Sequence, residues 1–144
     1  MLRYMLDTDI SSYIAKRSNE AVLTKIRTVS TAEVCISAIT KCELLYGVEI
    51  SPRQKQNDAA VQLFLRHVEV MDFPDEACRH YARIRADLRT QGRIIGANDL
   101  LIAAHARCLG LTLVTNNTRE FSRVPDLLVE NWTLTGAQVP PVGQ

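Results

Sequence analysis

The sequence predicts an α/β fold in which helices cover both faces of a central, mostly parallel sheet. Short apolar stretches rich in β-branched residues alternate with longer segments whose apolar residues recur at helical spacing. The chain has 144 residues, of which 47% are hydrophobic, and this is enough for one domain with its own core. We therefore expect a three-layer sandwich formed by residues 1–134, followed by a loose tail at 135–144.

The first half of the chain contains two predicted strands and four predicted helices. The strands are "RYML" and "EVCIS", both short and apolar. The helices are "ISSYIAKR", "NEAVLTKIRTV", "ITKCELLYGVEI" and "QNDAAVQLFLRHV". Ser51 and Pro52 end the third of these, because a residue that precedes proline is disfavoured in the helical conformation.

The second half continues the alternation of helix and strand. The helix "EACRHYARIRADLRTQG" carries an apolar stripe and ends near Gly92, a residue type that favours the left-handed helix cap. The helix "NDLLIAAHARCLG" is almost entirely apolar, which indicates burial, and it ends at Gly110. The strand "LTLVT" follows, and "DLLVENW" is a candidate for one more strand.

Composition excludes several classes of protein. No apolar run approaches the roughly 18 residues of a membrane span, and no basic stretch followed by an apolar core marks a secretory signal. The four cysteines have neither a C-x-x-C spacing nor a spacing typical of zinc ligands. We expect a cytoplasmic protein with reduced cysteines and no contact with a membrane.

The distribution of charge is more informative than the net charge of +1. Between Arg79 and Arg123 there are eight arginines and no lysine, against three acidic residues. The planar guanidinium group suits phosphate oxygens, so a polyanionic partner is one interpretation of this segment. Solvated helix faces are the other.

Side chains that can bind a metal follow the predicted strands "RYML", "EVCIS" and "LTLVT". They are Asp7 and Asp9 after the first strand, Glu43 in the helix after the second, Asp99 at the start of the apolar helix, and Asn116, Asn117 and Glu120 after "LTLVT". In open α/β sheets the carboxyl ends of the strands line the ligand crevice. The residues at positions 7, 43, 99 and 117 are therefore expected to meet at one edge of the sheet.

Each of these residues also has a purely structural interpretation. Asp9 or Thr8 could cap the first helix, and Glu43 stands three residues after Thr40, the spacing of a capping box. Asp99 could be a favourable charge at a helix N-terminus, and the two asparagines could be turn residues. Taken together these interpretations are weaker, because buried carboxylates brought close together repel and lose solvation. A hard cation such as Mg²⁺ or Mn²⁺ removes that conflict.

Four motifs in the chain resemble those of the PIN-domain ribonucleases, specifically the VapC toxins of bacterial toxin–antitoxin pairs. The motifs run in order from Leu2 to about Trp132 and cover nearly the whole chain. They are "MLDTDI", "ISAITKCELLYGV", "GANDLLIAAHAR" and "LVTNNTREFSRVPDLLVENW". The resemblance implies a PIN-like three-layer sandwich and a Mg²⁺- or Mn²⁺-dependent endoribonuclease that inhibits translation by cutting structured RNA, tRNA or rRNA.

The resemblance also assigns roles to residues by position. It implies Asp7, Glu43 and Asp99 as metal ligands and Asn117 as a fourth catalytic residue. Residues implied around them are Glu120, Thr115, Thr8 and Asp9, and weaker candidates for RNA contacts are Arg85, Arg89 and Arg93. The family pattern at the first motif is commonly L-D-T-N, and Asp9 stands here in place of that asparagine.

The resemblance further implies partners. These are the RNA substrate, a small VapB-like antitoxin that blocks the acidic site, a second copy of this chain in a homodimer, and promoter DNA bound only through the antitoxin. The expected products of hydrolysis carry 5′-phosphate and 3′-hydroxyl ends.

Two other functions fit parts of the sequence. The pattern D-x-D-x-S after an apolar strand resembles haloacid-dehalogenase-type phosphatases, with Asp7 as nucleophile and Asp9 as general acid. That family requires a downstream lysine, and this chain has no lysine after Lys55. A non-catalytic PIN-fold binding partner is the second alternative, although chemically usable side chains occupy all four site positions.

Overall fold

The computed structural model describes residues 1–134 of the chain. In this part the strands are β1 (Tyr4–Leu6), β2 (Val34–Ser37), β3 (Glu69–Met71), β4 (Thr112–Val114) and β5 (Val129–Glu130). The helices are α1 (Thr8–Lys16), α2 (Glu20–Arg27), α3 (Ala38–Glu49), α4 (Gln54–His67), α5 (Ala77–Thr90), α6 (Ala97–Leu109) and α7 (Thr118–Phe121). The tail expected at 135–144 lies outside the described residues.

The five strands form one parallel sheet in the order β3-β2-β1-β4-β5. In its register Leu6 lies opposite Ile36 on one side and Val114 on the other. The carboxyl ends of β1, β2 and β4 therefore lie side by side at one edge of the sheet. The next residue along each strand is placed at that edge, as the sequence predicted.

Two apolar cores cover the two faces of the sheet. One core includes Met5 with Ile102 of α6 and Ile84 of α5, and the other includes Leu6 with Ile10 of α1 and Val61 of α4. Successive side chains of a strand point to opposite faces, so β1 contributes to both cores. The three-layer sandwich with helices on both faces is confirmed.

Besides the 3₁₀ turn Thr31–Glu33, two short elements were not predicted. Strand β3 has one exposed and two partly buried residues, and it follows shortly after α4 at the edge of the sheet. Helix α7 is a single turn of four residues. Neither element is long enough to show an alternating or helical repeat, which is the signal on which sequence prediction depends. No helix within residues 1–134 is long and apolar enough to cross a membrane.

Candidate active site

Asp7 stands immediately after β1, and its side chain is buried with 5% of its surface exposed. One carboxylate oxygen, Oδ1, accepts a hydrogen bond from the backbone N–H of Ile10 at 2.9 Å. The other oxygen, Oδ2, accepts one from the hydroxyl of Thr115 at 2.5 Å. Asp7 is therefore the N-cap of α1, and the alternative interpretation in which Thr8 or Asp9 caps this helix does not hold. The two hydrogen bonds hold the carboxylate in one orientation.

Glu43 lies on α3, and both of its carboxylate oxygens accept hydrogen bonds. The hydroxyl of Thr8 donates to Oε1 at 2.5 Å, and the side-chain amide of Asn98 donates to Oε2 at 3.3 Å. The alternative capping box with Thr40 does not form, because Ser37 caps α3 by accepting the N–H of Ile39 at 3.1 Å. Sequence reasoning missed Asn98, although it stands beside Asp99 in the quoted segment "GAND".

Asp99 lies in the first turn of α6 and is partly buried. Burial raises its pKa to about 6, and the negative charges of Glu43, Glu120 and Asp9 raise it as well. Burial also raises the pKa of Asp7, and the charges of Asp9 and Asp99 add to the increase. The hydrogen bonds from Thr115 and Ile10 lower it, and the resulting pKa is about 7. The negative charges of Glu43, Glu120 and Asp9 therefore reach Asp99, and those of Asp9 and Asp99 reach Asp7.

Asn117 and Glu120 form the remaining part of the site. The amide of Asn117 donates to Oε2 of Glu120 at 2.7 Å, and the backbone N–H of Asn117 donates to the hydroxyl oxygen of Thr115 at 2.9 Å. Thr115 thus connects Asn117 to Asp7 through one hydroxyl group. Asn116, in contrast, is exposed and accepts a hydrogen bond from Thr133 at 3.3 Å.

The three arginines predicted to contact RNA are all exposed. Arg85 donates to the hydroxyl of Tyr81 at 2.8 Å, and Arg93 lies in the loop that joins α5 to α6. Because that loop leads into the first turn of α6, Arg93 and the end of α5 lie on the same side of the molecule as Asp99. Within residues 1–134 the ion pair found is Arg3 with Glu33, so no arginine or lysine neutralises the acidic cluster.

The acidic side chains do not form a closed ligand set as they stand. Among residues 1–134, no group of three or more histidine, cysteine, aspartate or glutamate side chains is arranged so that it could hold a metal ion. The hydrogen bonds give a physical reason. Glu43 is held by Thr8 and Asn98, Glu120 is held by Asn117, and like charges favour separation of the carboxylates.

Comparisons with known proteins identify the family. The PIN-domain family model matches residues 4–127. The chain is 44% identical to "Ribonuclease VapC2" of Haemophilus influenzae over 132 residues, which are 92% of this chain and 99% of that protein. It is 41% identical over 133 residues to "tRNA(fMet)-specific endonuclease VapC" of Shigella flexneri, covering 92% of this chain and all of that protein.

Solved structures agree with this assignment. A crystal structure of VapBC2 from Rickettsia felis, bound to a DNA fragment from its promoter, matches with a TM-score of 0.85 and 39% identity. The match covers 91% of this chain and 99% of that one. These relatives support the nuclease interpretation of the first motif and not the phosphatase alternative. The chain belongs to the PIN-domain family and, within it, to the VapC ribonucleases, as its four motifs predicted.

Proposed function

We propose that this VapC ribonuclease is a divalent-cation-dependent endonuclease that cuts tRNA in the cytoplasm and is held inactive by a small antitoxin. One observation carries the proposal. Acidic side chains meet at the carboxyl edge of the sheet, where burial and the charges of neighbouring carboxylates raise the pKa of Asp7 and Asp99, and no basic side chain of residues 1–134 neutralises them. A site of this kind favours a cation supplied from solution.

The chemistry of the donors fits Mg²⁺ or Mn²⁺. All the candidate ligands offer oxygen atoms, which hard divalent cations prefer, and the side chains of Asp7, Asp99 and Glu43 would hold the ion. The hydrogen bonds of Asp7 and Glu43 are to neutral groups. Replacing such bonds with contacts to a cation costs less free energy than breaking ion pairs would. When bound, the cation supplies Lewis-acid chemistry to the phosphodiester and lowers the pKa of water.

The residues of the chain provide the rest of the site. Thr115 and the N–H of Ile10 keep the Asp7 carboxylate in a fixed orientation, which reduces the reorganisation needed when a ligand arrives. Asn117 holds Glu120 at the rim of the site, where their polar groups orient water toward the scissile phosphate. The expected products are a 5′-phosphate and a 3′-hydroxyl end.

The exposed arginines are the proposed contacts to the RNA backbone. Arg89 lies at the end of α5, and Arg85 lies one turn earlier on the same helix. Arg93 lies in the loop that leads to Asp99. Guanidinium groups bind phosphate oxygens through paired hydrogen bonds. A relative that is 41% identical over its whole length is named a tRNA(fMet)-specific endonuclease, which supports tRNA as the substrate class.

Incubation of the purified chain with total cellular RNA, followed by sequencing of the new 5′ ends, tests the function. We expect cleavage at one or a few positions in tRNA, leaving 5′-phosphate ends. Because the arginines neutralise phosphates, KM should rise several-fold between about 50 and 200 mM salt, a range over which binding to nucleic acids weakens as counterions compete. Cleavage confined to rRNA or mRNA would contradict the tRNA assignment. A protein that binds RNA without cutting it would support the non-catalytic alternative.

An apolar groove provides a candidate surface for the antitoxin. It lies between α1, α2 and α4, has a volume of about 280 Å³, and is lined by Ile14, Ile26 and Phe64 with Arg17 and His67 also contributing. Leu63, which also lines it, is 55% exposed although leucine favours burial. Two solved relatives are VapBC complexes, one of them bound to promoter DNA, which supports an antitoxin partner for this chain and DNA contact through it.

Replacing Leu63 by glutamate tests this surface. A charge in the groove should weaken capture of the cognate antitoxin at least about tenfold, because an unpaired carboxylate is costly to bury. RNA cleavage by the free variant should be unchanged, since the residue is exposed. Leu128→Glu, at a leucine that is 64% exposed outside the groove, is the matched control. Equal capture of the Leu63 variant and the control would exclude the groove.

Light scattering on the free chain, 16.1 kDa per copy, tests the homodimer.

A further inference from the structure

His105 lies in the middle of α6 and is completely buried. Its ring atom Nδ1 is 2.9 Å from the hydroxyl oxygen of Ser37, which is also completely buried. Ser37 ends β2 and caps α3 by accepting the N–H of Ile39. Besides accepting that N–H, the hydroxyl has its own proton and a second lone pair, so it pairs with Nδ1 in either tautomer of the ring.

The histidine is a poor choice for packing alone. Within residues 1–134, Nε2 has no hydrogen-bond partner, and neither does the buried hydroxyl of Thr40 on α3. A buried polar group without a partner destabilises the fold, whereas an apolar side chain of similar volume would fill the same space without that cost. Phe73 packs edge-on against the ring, with centroids 5.4 Å apart, which limits its rotation.

The Ser37–His105 hydrogen bond joins the two helices that carry acidic residues of the site. Ser37 fixes the start of α3, which carries Glu43, and His105 belongs to α6, which carries Asp99. The other polar contact between these helices is from Asn98 to Glu43, at 3.3 Å and exposed to solvent. A short buried hydrogen bond defines a helix position more closely than a long exposed one.

We propose that His105 is a positioning residue, which through Ser37 fixes α3 against α6 and so sets the placement of Glu43 relative to Asp99. This inference rests on the proposed cation site. It assigns to His105 no contact with substrate or cation. It predicts that ion binding and stability respond independently to substitutions at this one position.

The test compares His105→Leu with His105→Asn in the full chain. Leucine has a similar volume and removes the unpartnered Nε2, which offsets the hydrogen bond that Ser37 loses, so His105→Leu should keep Tm within a few degrees of wild type while weakening Mn²⁺ binding about tenfold. The amide of asparagine places a polar atom near the position of Nδ1 but leaves a cavity, so His105→Asn should lower Tm while its Kd for Mn²⁺ stays within twofold of wild type. Titration calorimetry gives Kd, and thermal unfolding in chelator gives Tm.

Ser37→Ala provides a second variant in case His105→Leu does not fold. It should weaken Mn²⁺ binding to the same degree, and the Ser37→Ala/His105→Leu double variant should weaken it no further, because both changes break one link. A wild-type Kd in His105→Leu, or an equal loss in His105→Asn, would overturn the positioning role. A wild-type chain that takes up no Mn²⁺ would instead overturn the cation site itself, and the inference with it.

Discussion

Replacing Asp99 by asparagine is expected to lower the rate of RNA cleavage at least about a thousandfold and to raise Tm in chelator by a few degrees. The loss follows because the site gives up a charged ligand for the cation, whose stabilisation of the transition state amounts to several kcal/mol, at about 1.4 kcal/mol per factor of ten. The gain follows because Asp99 is a partly buried charge that Glu43, Glu120 and Asp9 repel. Asp7→Asn should behave in the same way.

Single-turnover cleavage of tRNA and thermal unfolding of the same preparations check this prediction. Asp75→Asn is the matched control, because Asp75 is exposed and is not among the charges that raise the pKa of Asp7 or Asp99. The control should retain both the rate and Tm of wild type. Cleavage by Asp99→Asn within tenfold of wild type would remove Asp99 from the catalytic set. A Tm that falls together with the rate would mean that the carboxylate is structural.

The sequence was sufficient to predict the fold and the edge of the sheet where the site lies. "RYML" could be recognised as a strand because it is short and apolar, and Asp7 then had to stand at its carboxyl end. The apolar helix α6 was equally clear, because its composition requires burial, and it placed Asp99 in a first turn. These predictions depend on periodicity and order along the chain, which the sequence contains in full.

Predictions that depend on the direction of a side chain were less successful. Asp7, Thr8 and Asp9 are adjacent, and all three are residue types that cap helices, so the sequence could not distinguish them. The structure selects Asp7, whose Oδ1 faces the N–H of Ile10. Glu43 had the spacing of a capping box, yet its oxygens face Thr8 and Asn98, which are far from it in sequence.

Features formed by several elements could not be predicted at all. The groove beside Leu63 results from three helices that pack with a gap between them, and no single segment encodes that gap. The hydrogen bond between Ser37 and His105 joins residues 68 positions apart. From the sequence, His105 could be interpreted only as a structural or surface residue. Its proposed role depends on its contact with Ser37 at the start of α3.

Adding Mn²⁺ to the cation-free protein at pH 7.5 is expected to raise Tm by about 5–10 °C in wild type and by much less in Asp7→Asn. A ligand present at a hundred times its Kd adds about 2.7 kcal/mol to the free energy of unfolding, which corresponds to a shift of this size in a domain of this length. Chelator should abolish cleavage, and Mg²⁺ or Mn²⁺ should restore it. Cleavage that continues in chelator, with no change of Tm on adding either ion, would exclude the cation.

The pH dependence of the same two proteins in chelator gives an independent check on Asp7. An aspartate ordinarily has a pKa of 3.8, and burial raises the pKa of Asp7 to about 7, so between these values the folded state binds more protons than the unfolded state. Asp7 therefore stabilises the wild type below about pH 4, and this stabilisation is lost as pH rises to 7. Asp7→Asn lacks this titrating group. The difference in free energy of unfolding, taken as variant minus wild type, should therefore increase from about pH 4 to pH 7 and stay constant above pH 7. Asp99 and His105 titrate in both proteins and largely cancel in the difference. A difference that stays constant over this range would show that the pKa of Asp7 is the same in the folded and unfolded states, and burial of this carboxylate would then give the site no added preference for a cation.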